Sequence, residues 1–421
     1  MLKTRQTCRI CGCPLKEIID LGKHHLVGYV GEGHSPIQRK VPLVLCYCDT
    51  ESNENGCGLV QLKHTTPGEL MYPRYFYRSG INTTMTNHLH SIVDQITAFF
   101  IREGSGIEDS DTIIDIGCND GTSLKYWASK GYNNLYGFDP AENMLEFSKK
   151  SGANITTSYF NLENVGRVKA FDAKVITSIA MFYDLEDPNE FVRDISVTLD
   201  SKGLWVFEQS YLPSMLEQNA FDTICHEHLE YYSLSTVQKL LARHGMEVVD
   251  VYLNDINGGS FQVHASHRNA FKRTLEAKAR IQSLLEREFE MEIDTGEAFR
   301  LFENRVNKNN ESLSSFLKQA KKEGKTVYAY GASTKGAITL QVCGITSDLI
   351  KGCADRNPMK WGTEIIGTGI PIVSEDEARA DNPDYFLVLP WHFMEEFDKR
   401  EKEFRDHGGK WIVPIPEFRV F

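Results

Sequence analysis

The 421-residue chain reads as an α/β protein in three parts: a small zinc-binding N-terminal domain, a central doubly wound Rossmann-like domain and a second, smaller C-terminal Rossmann-like α/β domain. Three observations predict this. Six of the ten cysteines (Cys8, Cys11, Cys13, Cys46, Cys48 and Cys57) stand in the first 57 residues. Strand patterns alternate with helical ones through the middle of the chain. A second alternation follows a stretch rich in Leu, Glu, Lys and Arg at helical spacing. The expected boundaries are 1–72, 73–268, a helical linker 269–322, and 323–421.

Charge and hydropathy exclude several roles. A net charge of -12 disfavours a sequence-independent grip on nucleic acid or an anionic membrane, because both need a basic surface. No stretch approaches the roughly 20 apolar residues of a membrane span, and the N-terminus has no apolar leader core. The expected setting is cytoplasmic, with no nucleic acid, no membrane, and a monomer or weak homodimer.

The first unit is short of long periodic elements and too small to build its own core, so something must staple it. Cys8-Arg-Ile-Cys11 is a two-residue-spaced pair, and Cys48 with Cys57 can close a tetrahedral thiolate site around structural zinc. Cys46 competes with Cys48 for the third place, since Cys46-Tyr47-Cys48 cannot supply both without strain. Four sulfur ligands leave no open position for a substrate, so the metal's binding free energy becomes folding free energy.

In the central unit, HLHSIVDQITAFFIREG has helical spacing, and DTIIDIGCNDGTSLKYWASKG reads as strand, glycine turn and helix. Strands at NLYGFD, AKVITSIA and GLWVFEQ alternate with segments such as PNEFVRDISVTLD, which implies a mostly parallel sheet. The turn carries Asp115, Gly117, Asn119, Asp120 and Gly121, where glycines let a ligand approach the backbone at the carboxyl edge of the sheet. Its D-x-G-x-x-x-G pattern differs from a dinucleotide fingerprint, and its acids suit a ligand with positive charge. S-adenosylmethionine, with a sulfonium and an ammonium, is such a ligand. Asp139, after the next strand, is placed to accept from ribose hydroxyls.

His226-Glu227-His228 is too closely spaced for the H-E-x-x-H metal pattern. On an extended segment the two histidines would share a side, with Glu227 opposite. In the last unit, YAYGASTKGAITL puts Ser333, Thr334 and Lys335 between a strand and a helix, where amides, hydroxyls and a lysine can cradle a pyrophosphate. Trp391 and His392 are candidates for the border of the same cleft.

Taken in order, Cys-x-x-Cys, GCGLVQL (Gly56–Leu62), DIGCNDG, FEQSYL, HEHLEYYSL and YGASTKG resemble the nucleotide-sugar C-methyltransferases over essentially the whole chain. The resemblance implies a class I methyltransferase domain at the centre. It also implies methyl transfer from S-adenosylmethionine to carbon 3 of a nucleoside-diphosphate 4-keto-6-deoxysugar, through an enolate. It assigns His228 as base, Glu227 as the residue that orients or polarises it, and Tyr77, with Tyr75 as fallback, as donor to the enolate oxygen. Histidine suits a base near neutral pH. The chain departs from the commoner family pattern with the insert DTESNENG between Cys48 and Cys57, with Tyr183-Asp184 where many relatives have a histidine, and with Asn257 in place of another. Sugar O-methylation and a non-catalytic nucleotide-sugar-binding module are the competing readings.

Overall fold

The computed structural model describes residues 2–26, 29–30, 40–72 and 77–421. Its centre is a seven-stranded sheet ordered 246–254, 260–267, 199–210, 173–179, 113–116, 135–138, 154–156. Neighbours from 154–156 to 199–210 run parallel, and 260–267 lies antiparallel between 199–210 and 246–254. All four residues of Ile113–Ile116 are buried, as expected for a parallel strand covered by helices on both faces.

Helix Thr83–Arg102 buries Met85, Leu89, Ile92, Val93, Ile96, Phe99 and Phe100, the stripe its spacing predicts. The Asn82 side chain caps it by accepting from the amides of Thr84 and Met85. Asp187 caps Pro188–Thr198 in the same way, with proline in the first turn. Strand order reverses at 113–116, so a cleft opens between the carboxyl ends of 113–116 and 173–179.

Helices Leu275–Glu290 and Gly296–Lys322 lead to a second sheet, ordered 419–420, 410–413, 385–388, 327–330, 352–355, 370–374, 364–365, 29–30. The five strands from 410–413 to 370–374 are parallel. Its outermost strand, 29–30, comes from the N-terminal part of the chain.

The cysteine-rich unit has more regular structure than its composition suggests. Leu15–His25 and Lys40–Cys48 form a long antiparallel pair, extended by Val60–Leu62 and then by Glu230–Tyr231. Ile18, Ile19, Leu43, Leu45 and Tyr47 bury against Leu212, Phe221, Phe299 and Phe302. The unit has no core of its own because its apolar face is completed by residues far along the chain. Among the described residues, no helix is long and apolar enough to cross a membrane.

Candidate active site

At the switch point, Gly117 and Gly121 adopt φ of +70° and +77°, and Asn119 adopts +51°. A Cβ on Gly121 would sit 2.9 Å from the backbone of Ser148, so that position demands glycine. The Asn119 amide donates to Asp139 Oδ2 at 2.8 Å, and the Ala141 amide donates to Asp139 Oδ1 at 2.8 Å. These bonds fix the Asp139 carboxylate while leaving it further lone pairs for a ligand. Thr177 Oγ1 donates to Asp115 Oδ1 at 2.6 Å. Burial, and then Asp139, push the Asp115 carboxyl up to about 7.

Asp115, Gly117, Asn119 and Asp139 line a cavity of about 330 Å³. Gly121 does not line it and instead shapes the turn as the residue before helix Thr122–Ser129. A ligand with an ammonium, a sulfonium and vicinal hydroxyls fits this rim of a buried and a half-buried acid and open backbone.

Glu227 and His228 line the same cavity. The chain bends at His226-Glu227, so the alternation of an extended segment is lost. The two histidines therefore part. His226 is buried, with Nε2 3.0 Å from the carbonyl of Val41, while Glu227 and His228 both face the cavity. The Nδ1 atom of His228 bonds to the carbonyl of Thr223 at 2.8 Å, and the Tyr183 ring packs over the imidazole at 4.3 Å between centroids. Burial and the Lys335 ammonium hold His228 down to about 4, so it is neutral at pH 7. Burial pushes Glu227 up to about 7. Among the described residues its carboxyl has no hydrogen-bond partner, and the His228 ring is held by its bond to the Thr223 carbonyl.

Tyr77 lines the cavity although 45% of its surface is exposed. Its carbonyl accepts from Asn119 Nδ2 at 3.0 Å, which ties it to the cofactor turn. Crowding around the hydroxyl and the Asp120 carboxylate raise the phenol to about 12. Tyr75 lies outside the described residues.

From the last unit, Thr334 and Lys335 reach the same cavity, and Lys335 Nζ donates to the carbonyl of Asn257 at 2.6 Å. Ser333 does not line it; its hydroxyl accepts from the Gly336 amide at 3.0 Å and caps helix Thr334–Val342. Trp391 and His392 are also off the wall, and Trp391 Nε1 donates to Asp222 at 3.0 Å behind it. Tyr183, Asp184 and Asn257, the positions where the chain departs from the commoner pattern, all line the cavity. Asp184 Oδ1 is buried without a hydrogen-bond partner among the described residues.

Sequence reasoning missed Thr223, Tyr72, Tyr159 and Met181. Thr223 stood five residues before His228 and was findable as a neighbour of the cluster. The other three carry no local signal.

The thiols of Cys8, Cys11, Cys48 and Cys57 lie within 4.8 Å of one another. Cys8 and Cys57 sulfurs are 3.4 Å apart, and those of Cys11 and Cys48 3.3 Å. Tetrahedral thiolates around zinc stand about 3.8 Å apart, so the set fits that ion. Cys46 is outside the cluster, in the buried strand Lys40–Cys48, where burial raises its thiol to about 12.

Residues 255–416 match the family profile of the C-methyltransferase C-terminal domain, 85–251 that of a methyltransferase domain, and 8–72 one described as a putative zinc binding domain. The C-methyltransferase NovU of Streptomyces niveus is 31% identical over 419 residues, covering 98% of this chain and 96% of that protein. Among solved structures, magnesium protoporphyrin IX methyltransferase (ChlM) of Synechocystis PCC 6803 with bound SAM is 14% identical; the match covers 44% of this chain and 81% of that one, with a TM-score of 0.33. An S-adenosylmethionine-dependent methyltransferase of Mesorhizobium loti is 15% identical, with coverages of 38% and 92% and a TM-score of 0.32.

Proposed function

Since the chain belongs to the C-methyltransferase family, and is an S-adenosylmethionine-dependent methyltransferase with an N-terminal zinc-binding cysteine cluster, we propose that it methylates carbon 3 of a nucleoside-diphosphate 4-keto-6-deoxysugar. The observation that carries this reading is one cavity lined by an acid-bearing glycine turn, a half-buried neutral histidine and a lysine from the last unit. The same reading assigns 1–72 to zinc, 73–268 to the cofactor, 269–322 to a linker and 323–421 to the sugar nucleotide.

A sugar carbon becomes nucleophilic only when a proton alpha to a ketone is removed. His228 is the base: with Nδ1 tied to Thr223, its Nε2 takes that proton and the ketone becomes an enolate. Tyr77 donates to the enolate oxygen, and Glu227, whose carboxyl is free to hold or release a proton near neutrality, polarises the same wall. Bound S-adenosylmethionine supplies an electrophilic methyl group. Asp115, Asn119 and Asp139 hold its polar groups, and Gly117 and Gly121 give it close approach to the backbone. Thr334 and Lys335 hold the pyrophosphate, with Ser333 keeping their helix start in place.

The test is mass spectrometry of a panel of nucleotide-linked 4-keto-6-deoxysugars in deuterated water, with and without S-adenosylmethionine. Ring deuterium without cofactor and a methyl group with it are expected. Methylation without exchange would favour the O-methyl reading, and silence across the panel would reject this substrate class.

A further inference from the structure

Of the two residues between the first two zinc ligands, Arg9 is not a spacer. Arg9 has a side chain that is 0% exposed. Its Nη1 donates to Gln61 Oε1 at 3.0 Å and to the Leu62 carbonyl at 2.7 Å, and Nη2 donates to Thr65 Oγ1 at 2.7 Å. Nε stands 3.4 Å from Glu230 Oε1 and 3.6 Å from Glu186 Oε2. Both acids sit next to the cavity wall in sequence. Glu230 follows His228 by two residues, and Glu186 follows Asp184 by two.

The backbone repeats this connection. Glu230 pairs with Gln61 in the N-terminal sheet, and the Leu62 amide donates to Leu229 at 2.9 Å. The Leu229 amide in turn donates to the Tyr183 carbonyl at 2.7 Å, and the Tyr183 ring rests on His228. Asn189 Nδ2 donates to the carbonyls of Arg9 and Ile10 at 3.0 and 2.9 Å, and Thr236 Oγ1 donates to that of Cys57 at 3.3 Å. Cysteine knuckle and catalytic wall are thus joined through one guanidinium and a short run of amides.

We propose that Arg9 is a positioning residue for His228: it links the zinc-binding knuckle to the segments that carry His228 and Tyr183, so the metal site controls the base as well as the fold. Without the guanidinium the buried oxygens of Gln61, Leu62 and Thr65 lose a donor, and the strand at Glu230 loses a tie to the knuckle. His228 follows a bend and lies outside regular structure, so its place is set by such anchors. Displacement of a reacting group by about 1 Å is enough to lose a reaction rate about 10²-fold. The proposal rests on reading His228 as the base.

The test uses the full-length zinc-loaded protein and the reactivity of each histidine toward diethyl pyrocarbonate, followed peptide by peptide, which involves no sugar. In Arg9→Met, zinc content and S-adenosylmethionine affinity are expected to hold, while the His228 rate rises about fivefold or more and its pH midpoint moves from about 4 toward 6.5. The other histidines stay unchanged, whereas general loosening would move all of them. Arg9→Met/Glu230→Gln removes both ionisable side chains and, because the link through Arg9 is still missing, is expected to show the same His228 change in a stable fold. Stripping zinc from the unsubstituted protein reproduces it, and adding zinc back reverses it. Unchanged His228 reactivity in a folded variant, or after zinc removal, overturns the proposal. A separate exchange assay with a keto sugar is expected to show a slower rate at unchanged KM. Absence of exchange in the unsubstituted enzyme would count against the substrate reading and leave the histidine result to judge Arg9.

Discussion

The Thr223 carbonyl accepts the Nδ1 proton of His228 at 2.8 Å. A carbonyl can only accept, so the neutral ring carries its proton on Nδ1 and its lone pair on Nε2. A backbone atom therefore selects the tautomer, and it cannot be removed by a side-chain substitution.

His228→Asn removes the proposed base while keeping a polar side chain of similar reach. Calorimetry with S-adenosylmethionine is expected to give an unchanged affinity, and ring-proton exchange should fall by about 10²–10⁴-fold. Exchange at the original rate would take His228 out of the mechanism.

Burial and Lys335 hold His228 down to about 4, so its base form persists well below the pH at which an ordinary histidine is half protonated. The exchange rate is expected to lose its acid limb near pH 4 and not near 6.5. Glu227, raised to about 7, gives a second inflection that Glu227→Gln abolishes. Rate profiles from pH 4 to 9 would read both.

His226 makes a stability prediction. Its folded value is about 4, below the ordinary 6.5, so between these values the unfolded state binds more protons. Its contribution is full above pH 6.5 and is lost as pH falls toward 4. The size is about 1–3 kcal/mol. Asp115 and Glu227 have raised values and act with the opposite sign. Denaturant melts of His226→Gln at pH 7 and 5 should show a shallower pH slope.

The two candidates for the third zinc position separate by metal analysis. Cys48→Ser and Cys11→Ser are expected to lose zinc and several kcal/mol of stability, because the ion's binding free energy is folding free energy. Cys46→Ser is expected to keep about one zinc per chain. Loss of metal from the Cys46 variant alone would reverse the assignment.

Lys335→Met tests the last unit. Charge-assisted hydrogen bonds contribute about 1.5–3 kcal/mol, so KM for the sugar nucleotide should rise about 10–100-fold with S-adenosylmethionine affinity intact. Loss of the Lys335 charge, which helps hold His228 down, also predicts an acid limb at higher pH for exchange in this variant.

Much of the site was legible in order along the chain. The turn from Asp115 to Gly121 could be read because glycines at positive φ and acids after a buried strand are local features. The N-terminal hairpin was not legible: the strand Lys40–Cys48 buries residues on both faces, and its cover comes from Leu212, Phe221 and Phe299. A hydroxyl at a helix start, such as that of Ser333, can bind an anion or cap the helix, and only the position of the Gly336 amide distinguishes the two.

By itself, the sequence determined the alternation that builds both parallel sheets, the residues of the cofactor turn and a set of cysteines able to bind zinc. Each depends on neighbours a few residues apart or on residue chemistry alone. Tertiary structure decided that Cys48 and not Cys46 completes the thiolate cluster, that His226 and His228 face different ways, and that Thr223 sets the tautomer of His228. It also brought Arg9 against Glu230. The physical reason is that hydrogen bonds and ion pairs form between atoms that meet in space, and for segments more than a hundred residues apart that meeting is fixed by the packing of the whole molecule.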